Sequence, residues 1–173
     1  MTSTITCNVL VRRLVIPALA TAALLAPHAA LAQANSIEGV WKLTSIVRTG
    51  TQPLSLTSPQ PGYTIYSHGY YATVTDNSTS ARAASPPPKD PANPSDADKL
   101  ARFAEWGPMQ AQAGTYEVKG STLTRKPEVA KNVSTMATPN VQQITVKGNT
   151  LVMVSQAPPG QTGTQTVTMT RVK

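Results

Sequence analysis

Gly39-Val40-Trp41-Lys42-Leu43-Thr44-Ser45-Ile46-Val47 alternates along its length. One face carries Trp41, Leu43, Ser45 and Val47, and the other carries Val40, Lys42, Thr44 and Ile46. A repeat of two marks an extended strand, because successive side chains point to opposite faces of the pleat. The same period governs most of the chain beyond it. Gly62–Tyr66 and Tyr70–Thr75 are two strands rich in aromatic and β-branched residues. They are joined by Ser67-His68-Gly69, a hairpin turn in which Gly69 is free to take positive φ. After Gly114 the pattern returns as Thr115–Val118, a Lys119-Gly120 turn, Thr122–Glu128, Val141–Val146, a Gly148-Asn149 turn, Thr150–Ser155 and Thr164–Val172.

Two stretches break the rhythm. Residues 50–61 read as a loop rich in Pro, Ser and Thr, and residues 80–94 as a Pro-rich crossing that cannot pair in a sheet interior. Ser95, with Asp98 three residues on, forms a capping-box start for a helix over about Asp96–Trp106. Leu100, Phe103 and Trp106 supply its apolar side, and Pro108 ends it within a helical insertion spanning 95–112. The whole is an all-β chain with one short helix: eight strands, with the insertion after the third. An antiparallel sheet of that length exposes two edges, and closing it into an up-and-down barrel removes both. A two-sheet sandwich is the alternative. Consecutive strands without obvious long crossovers favour the barrel.

Toward the N-terminus the chain changes class. Arg12-Arg13 precede an uncharged apolar run from Leu14 to Ala26, and Ala30-Leu31-Ala32 is a small-x-small cleavage triplet. Residues 1–32 are therefore expected to be a cleaved export signal, which places the mature protein in the periplasm or outside the cell. The apolar run is too short for a comfortable membrane span. Residues 33–173 then form a single barrel domain with thirteen Lys/Arg against eight Asp/Glu, a net charge of +5. The basic residues are scattered over strands and turns rather than gathered in a tract interleaved with aromatics, so nucleic acid is not an expected partner. Cys7 is the only cysteine and leaves with the signal, so no disulfide, thiolate nucleophile or cysteine metal ligand is expected. His68 is the only histidine after the signal and sits at a turn. One histidine makes no metal cluster, and no Gly-x-Ser-x-Gly elbow is present, so neither a metal site nor a catalytic triad is expected.

Taken in order, Gly39-Val40-Trp41-Lys42-Leu43, Gly62-Tyr63-Thr64-Ile65-Tyr66, Ser67-His68-Gly69-Tyr70-Tyr71, Ala113-Gly114-Thr115-Tyr116-Glu117-Val118 and the closing Thr168-Met169-Thr170-Arg171-Val172 resemble the bacterial and fungal lipocalin-like domain family, within the calycin group of barrels. These pieces span nearly all of residues 33–173. The resemblance implies an eight-stranded barrel around a cavity for a small, largely apolar molecule. It further implies that Gly39, Trp41 and Arg171 close one end, the guanidinium lying over the indole face. It names no ligand, because fold does not imply function.

Five of the eight aromatic residues are tyrosines, and four of them, Tyr63, Tyr66, Tyr70 and Tyr71, lie on one hairpin. A flat apolar body with a hydroxyl handle suits a pocket wall, although strand propensity alone also places tyrosine here. Period-two alternation lets only about half of them face inward. Tyr63, Tyr70 and Tyr116 are taken as the inward set, with Ser45, Ala72 and Thr115 as small inward residues. Either Phe103, Trp106 and Met109 plug the barrel mouth, or Leu100 and Phe103 cover the barrel's outer wall. Met153 and Met169 fill the interior as adaptable packing against a ligand. Glu117, Glu128 and Arg125 are expected to face outward, since an unpaired charge inside is costly. The expected function is binding of a small hydrophobic or amphipathic molecule, with no cofactor and no catalytic residue. An isomerase or cyclase working in the cavity, and a packed envelope protein, are the alternatives.

Overall fold

The computed structural model describes residues 37–157 and 160–173, so the expected signal segment 1–32 lies outside the described residues. In chain order the strands are β1 (Gly39–Arg48), β2 (Leu54–Leu56), β3 (Gly62–Ser67), β4 (Tyr70–Asp76), β5 (Met109–Lys119), β6 (Thr122–Ala130), β7 (Asn140–Lys147), β8 (Thr150–Gln156) and β9 (Thr164–Arg171). A helix, α1 (Asp96–Trp106), stands between β4 and β5, and a 3-10 turn covers Val133–Met136. Every neighbouring pair is antiparallel. β9 returns to β1 from Trp41↔Arg171 to Arg48↔Gln165, so β1 and β3–β9 make a closed eight-stranded barrel. Closure leaves the ring without a free edge.

The expected all-β barrel with its helix after the tyrosine hairpin is present, and the differences in detail have physical reasons. β2 lies in what reads as loop 50–61. β1 pairs with β3 only from Gly39 to Lys42, and Leu54–Leu56 pairs with Arg48–Ile46 beyond that point. The short strand covers backbone groups that β3 has left behind. β5 begins at Met109, so the last four residues of the 95–112 insertion are strand, paired from Asp76↔Met109 to Thr73↔Gln112. Met109-Gln110-Ala111-Gln112 lacks β-branched residues, which hides it from a propensity reading, but the far half of β4 needs a hydrogen-bonding partner. A bulge between Leu43 and Ser45 resets the pleat of β1. Trp41 and Leu43 face inward as the alternation predicts. Past the bulge Ile46 is buried instead, and Val47 is exposed.

Pro127 sits inside β6, where a proline ordinarily weakens a sheet, but it does so at a second bulge opposite Gly114. A Cβ on Gly114 would come within 2.0 Å of the Lys126 carbonyl oxygen, so only glycine allows β5 and β6 to approach here.

The helix is capped as its sequence predicts. Asp98 N–H donates to Ser95 Oγ at 3.2 Å, and Ser95 N–H donates to the Asp98 carboxylate at 3.0 Å. Its C-terminal carbonyls are held by a cation from β6's far end. Lys131 Nζ donates to the carbonyls of Trp106, Gly107 (2.8 Å) and Met109 (3.0 Å). Arg82 bridges the Asp76 carboxylate (2.7 Å) to the Glu105 carbonyl (2.9 Å), and Ser85 donates to the Glu105 carboxylate. Polar ties, not a buried apolar stripe, seat the helix, and none of its residues is buried.

Antiparallel order sorts the connections between the two ends of the barrel. The tight turns 67–70, 119–122 and 147–150 lie at one end together with the start of β1 and the finish of β9. The long connections 49–61, 77–108 and 131–139 lie at the other, with the finish of β8 and the start of β9. The first end is the floor. Ile37, Trp41, Leu123 and Leu151 are fully buried there, with Tyr66, Ile144 and Met169 close behind.

Candidate functional site

At the floor, Arg171 lies over the Trp41 ring with its guanidinium carbon 4.2 Å from the centroid, and its Nη1 donates to the Glu38 carbonyl. The indole Nε1–H donates to the Ile37 carbonyl at 2.7 Å. Gly39 makes room for this arrangement. Its φ is +122°, and a Cβ there would fall 2.6 Å from Arg171 Nη1. Tyr116 reaches across to donate to Glu38 Oε1 at 3.2 Å and meets Tyr66 edge to face at 5.0 Å between centroids. Burial, reinforced by the Glu38 carboxylate, pushes the Tyr116 hydroxyl up to about 12.

Above this floor is a cavity of about 410 Å³ that opens among the long connections. Its apolar wall includes Leu43, Ile46, Met153, Val167 and Met169, with Leu54 and Leu56 nearer the rim. Its polar wall is larger than any sequence pattern suggests. Thr64 and Thr73 face each other across β3 and β4, their hydroxyls sharing a 2.8 Å hydrogen bond. Gln142, Asn140 and Arg125 line the side where β6 and β7 separate. Those two strands pair only from Thr122↔Gln143 to Arg125↔Asn140, so Arg125 stands at the last rung before they part. A second hollow, lined by Pro127, Ser134, Asn140 and Gln156 among others, occupies the gap beyond that rung.

Arg125 is the most informative residue of the site. It is 7% exposed, deep in the barrel wall on the same face as Leu123 and Pro127. One guanidinium nitrogen donates to Asn140 Oδ1 at 3.3 Å, and the guanidinium stands 5.3 Å from the centroid of the Tyr71 ring. Its Nε–H has no acceptor, and neither Gln142 Oε1 nor the Tyr71 hydroxyl has a partner. Burial pushes the Tyr66 and Tyr71 hydroxyls above their ordinary values, and the Arg125 charge pulls both back without cancelling the rise. Both phenols stay protonated near neutral pH.

The residues singled out by sequence pattern are scattered over the molecule. Met153 and Met169 are buried inside and line the cavity. Tyr116 turns inward, but at the floor rather than in the cavity wall. Tyr63 and Tyr70 are corrected: they are 44% and 63% exposed on the outer face, and Tyr66 and Tyr71 hold the interior. Register explains the swap. Tyr66↔Tyr71 is a cross-strand pair in the inward row with Thr64↔Thr73, so Tyr63, Tyr70 and Ala72 must point out. Phe103 and Trp106 neither plug the mouth nor cover the barrel's outer wall. Phe103 is 75% exposed, and both line a surface hollow against Pro86, Pro88 and Pro94. Met109 has become part of β5. Glu117 and Glu128 are exposed as expected, whereas Arg125 is inward.

The sequence did contain a signal for Arg125 and Gln142. Period two places Arg125 on the face of Leu123, and Gln142 on the face of Ile144. The cost of a buried charge argues against that placement only if nothing offsets it.

Among the described residues, no group of three or more His, Cys, Asp or Glu side chains gathers in a way that could hold a metal ion. Nor is any helix there long and apolar enough to cross a membrane. Fold and cavity together define a closed antiparallel barrel with a packed floor and a polar-walled interior. No family model matches the chain, and no curated protein matches it either.

Proposed function

We propose that this chain is an exported, lipocalin-like barrel that binds one small amphipathic molecule in the cavity above its floor, without transforming it. The observation that carries the reading is the contrast inside one barrel. The floor is packed with buried apolar and aromatic side chains, and the space above it keeps about 410 Å³ lined by both apolar side chains and buried polar groups. A volume of that order, mostly preformed and carrying a few placed polar groups, is typical of small-molecule sites. Apolar surface at Leu43, Ile46 and Met153 would desolvate the body of the ligand, and the amides of Gln142 and Asn140 would orient it. Binding is preferred to catalysis because the described lining residues include no carboxylate and no imidazole to move a proton. Export rests on the Arg12-Arg13, Leu14–Ala26 and Ala30-Leu31-Ala32 pattern.

The test is native mass spectrometry of the protein purified from its own envelope fraction, followed by denaturing extraction of whatever travels with it. A stoichiometric small-molecule adduct is expected, and it should be lost when Met153 is replaced by Trp to fill the cavity. A clean apo mass, together with no thermal shift against amphipathic acids, alcohols and amines, would overturn the reading.

A further inference from the structure

The cavity wall carries two arginines, Arg125 deep and Arg48 at the rim, and no acidic residue. The chain's eight Asp and Glu residues are all among the described ones, so every acid has a known place. Asp76 pairs with Arg82, Asp96 with Lys99, Glu105 with Arg102 and Glu117 with Lys119. Glu38 accepts from Tyr116 and from the His68 backbone at the floor. Asp90 and Asp98 accept within their own turn and helix cap, and Glu128 is exposed at the β6 bulge, where its charge reaches the Tyr71 hydroxyl. None forms an ion pair with Arg125. A guanidinium withdrawn from water to 7% exposure with no carboxylate partner is an expensive thing to keep in a core. Its unpaired Nε–H and the unpaired Gln142 Oε1 sit on neighbouring strands of the same wall.

We infer that Arg125 is the anchor for the acid group of the ligand, and that the cavity selects amphipathic molecules bearing a carboxylate. This rests on the reading of the cavity as a binding site and names the chemical class it takes. One buried positive charge is matched by one negative charge, which a carboxylate supplies and a neutral head does not. The planar guanidinium fork fits the two carboxylate oxygens, and the unused Nε–H is a donor already in place. The unpaired Gln142 oxygen, an acceptor, suits a hydroxyl or amide proton elsewhere on the ligand. Arg48, held by Gln165 at 3.0 and 3.3 Å, adds positive potential at the entrance and draws anions inward.

The experiment uses four probes of equal chain length: decanoate, decanamide, decylamine and decyl phosphate. Calorimetry and thermal shift are run on the exported form of the wild type and of Arg125→Met, Arg125→Lys and Met153→Trp. Decanoate should bind the wild type about ten- to hundredfold tighter than decanamide, the worth of one charge-assisted contact. Decylamine should be weakest, and decyl phosphate should not exceed decanoate. Arg125→Met should bring decanoate and decanamide to within about twofold, and Arg125→Lys should keep part of the preference. Equal binding of acid and amide by the wild type, abolished by Met153→Trp, would overturn the acid anchor and leave the cavity reading standing. Preference for decyl phosphate would overturn the carboxylate assignment. Binding of none of the four would overturn the anchor and the cavity reading together. If Arg125→Met fails to fold, the wild-type ranking and Arg125→Lys still decide the matter.

Discussion

At the floor of the barrel the Trp41 indole donates to Ile37, Arg171 lies across its face and Tyr116 reaches Glu38. In the cavity wall above it, Arg125 Nε and Gln142 Oε1 have no partner, and the strands beside them part. Floor and cavity wall each hold an arginine against an aromatic ring. At the floor the guanidinium is 4.2 Å from the Trp41 centroid and donates to a main-chain carbonyl, while at Tyr71 the separation is 5.3 Å with one long side-chain hydrogen bond. The same chemical pair thus closes the fold in one place and stays only partly satisfied in the other. Buried apolar contacts gather at the floor, where β1 starts and β9 ends. Above the floor the barrel keeps a cavity and a buried charge.

The largest effect is expected at the floor. Trp41→Ala removes a fully buried indole, its hydrogen bond and the ring under Arg171, and should cost about 3–5 kcal/mol in denaturant unfolding. A cost below about 1 kcal/mol would show that the floor is not where stability resides. Gly39→Ala tests the same lock from its backbone. The new methyl meets Arg171 at a φ of +122°, so a loss of about 1–3 kcal/mol is expected. Wild-type stability in that variant would mean that Arg171 has another equally good seat.

These floor residues are also the part most legible in the sequence. The alternation from Gly39 to Val47, the turns at Gly69 and Gly120, and the capping box at Ser95 and Asp98 all act through local geometry, so their residue types reveal them. Legibility fails where geometry is set at a distance. The β1 bulge after Leu43 turns Ile46 inward in place of Ser45 and Val47, because β1 must fit β9, a strand more than a hundred residues away in the chain. The choice of Tyr66 and Tyr71 over Tyr63 and Tyr70 is a single bit of parity that one hairpin cannot set for itself. Anchoring the parity to the adjacent Leu123, which is unambiguous, would have placed Arg125 inside as well. Phe103 and Trp106 mislead for the opposite reason. Their spacing is amphipathic, yet the helix is tethered through Lys131, Arg82 and Ser85 and leaves its aromatic side outside.

The cavity wall should answer in the opposite direction. Arg125→Met replaces a buried cation that has no carboxylate partner with an apolar chain of similar length, and loses the hydrogen bond to Asn140 and a contact to Tyr71 of about 0.5–1 kcal/mol. The unliganded barrel should therefore be as stable as the wild type or more stable by about 1–2 kcal/mol. The same denaturant melt used for Trp41→Ala reads it directly. A loss comparable to that of Trp41→Ala would erase the contrast between floor and cavity wall and make Arg125 a structural residue.

The smallest effect sharpens the comparison through pH. Tyr116 has its hydroxyl raised from 10.0 to about 12, chiefly by burial and then by the neighbouring Glu38 charge. A phenol whose folded value lies above its unfolded one holds its proton more tightly in the folded state. Its contribution to stability is therefore complete below about pH 10 and is lost as pH rises toward about 12. Tyr66 and Tyr71 are raised for the same first reason, so the wild-type melting temperature should fall through this window by their joint action. Tyr116→Phe keeps the ring against Tyr66 and removes only the hydroxyl. Near neutral pH it should cost no more than about 1 kcal/mol, the net worth of one partly exposed hydrogen bond. Between about pH 10 and 12 its decline should be shallower than the wild type's, because one of the three raised phenols is gone. Melting curves of both proteins across that range test the point. An unchanged alkaline slope would mean that the Tyr116 hydroxyl is not raised by its burial and the Glu38 charge, and that the floor is less tightly locked than its geometry implies.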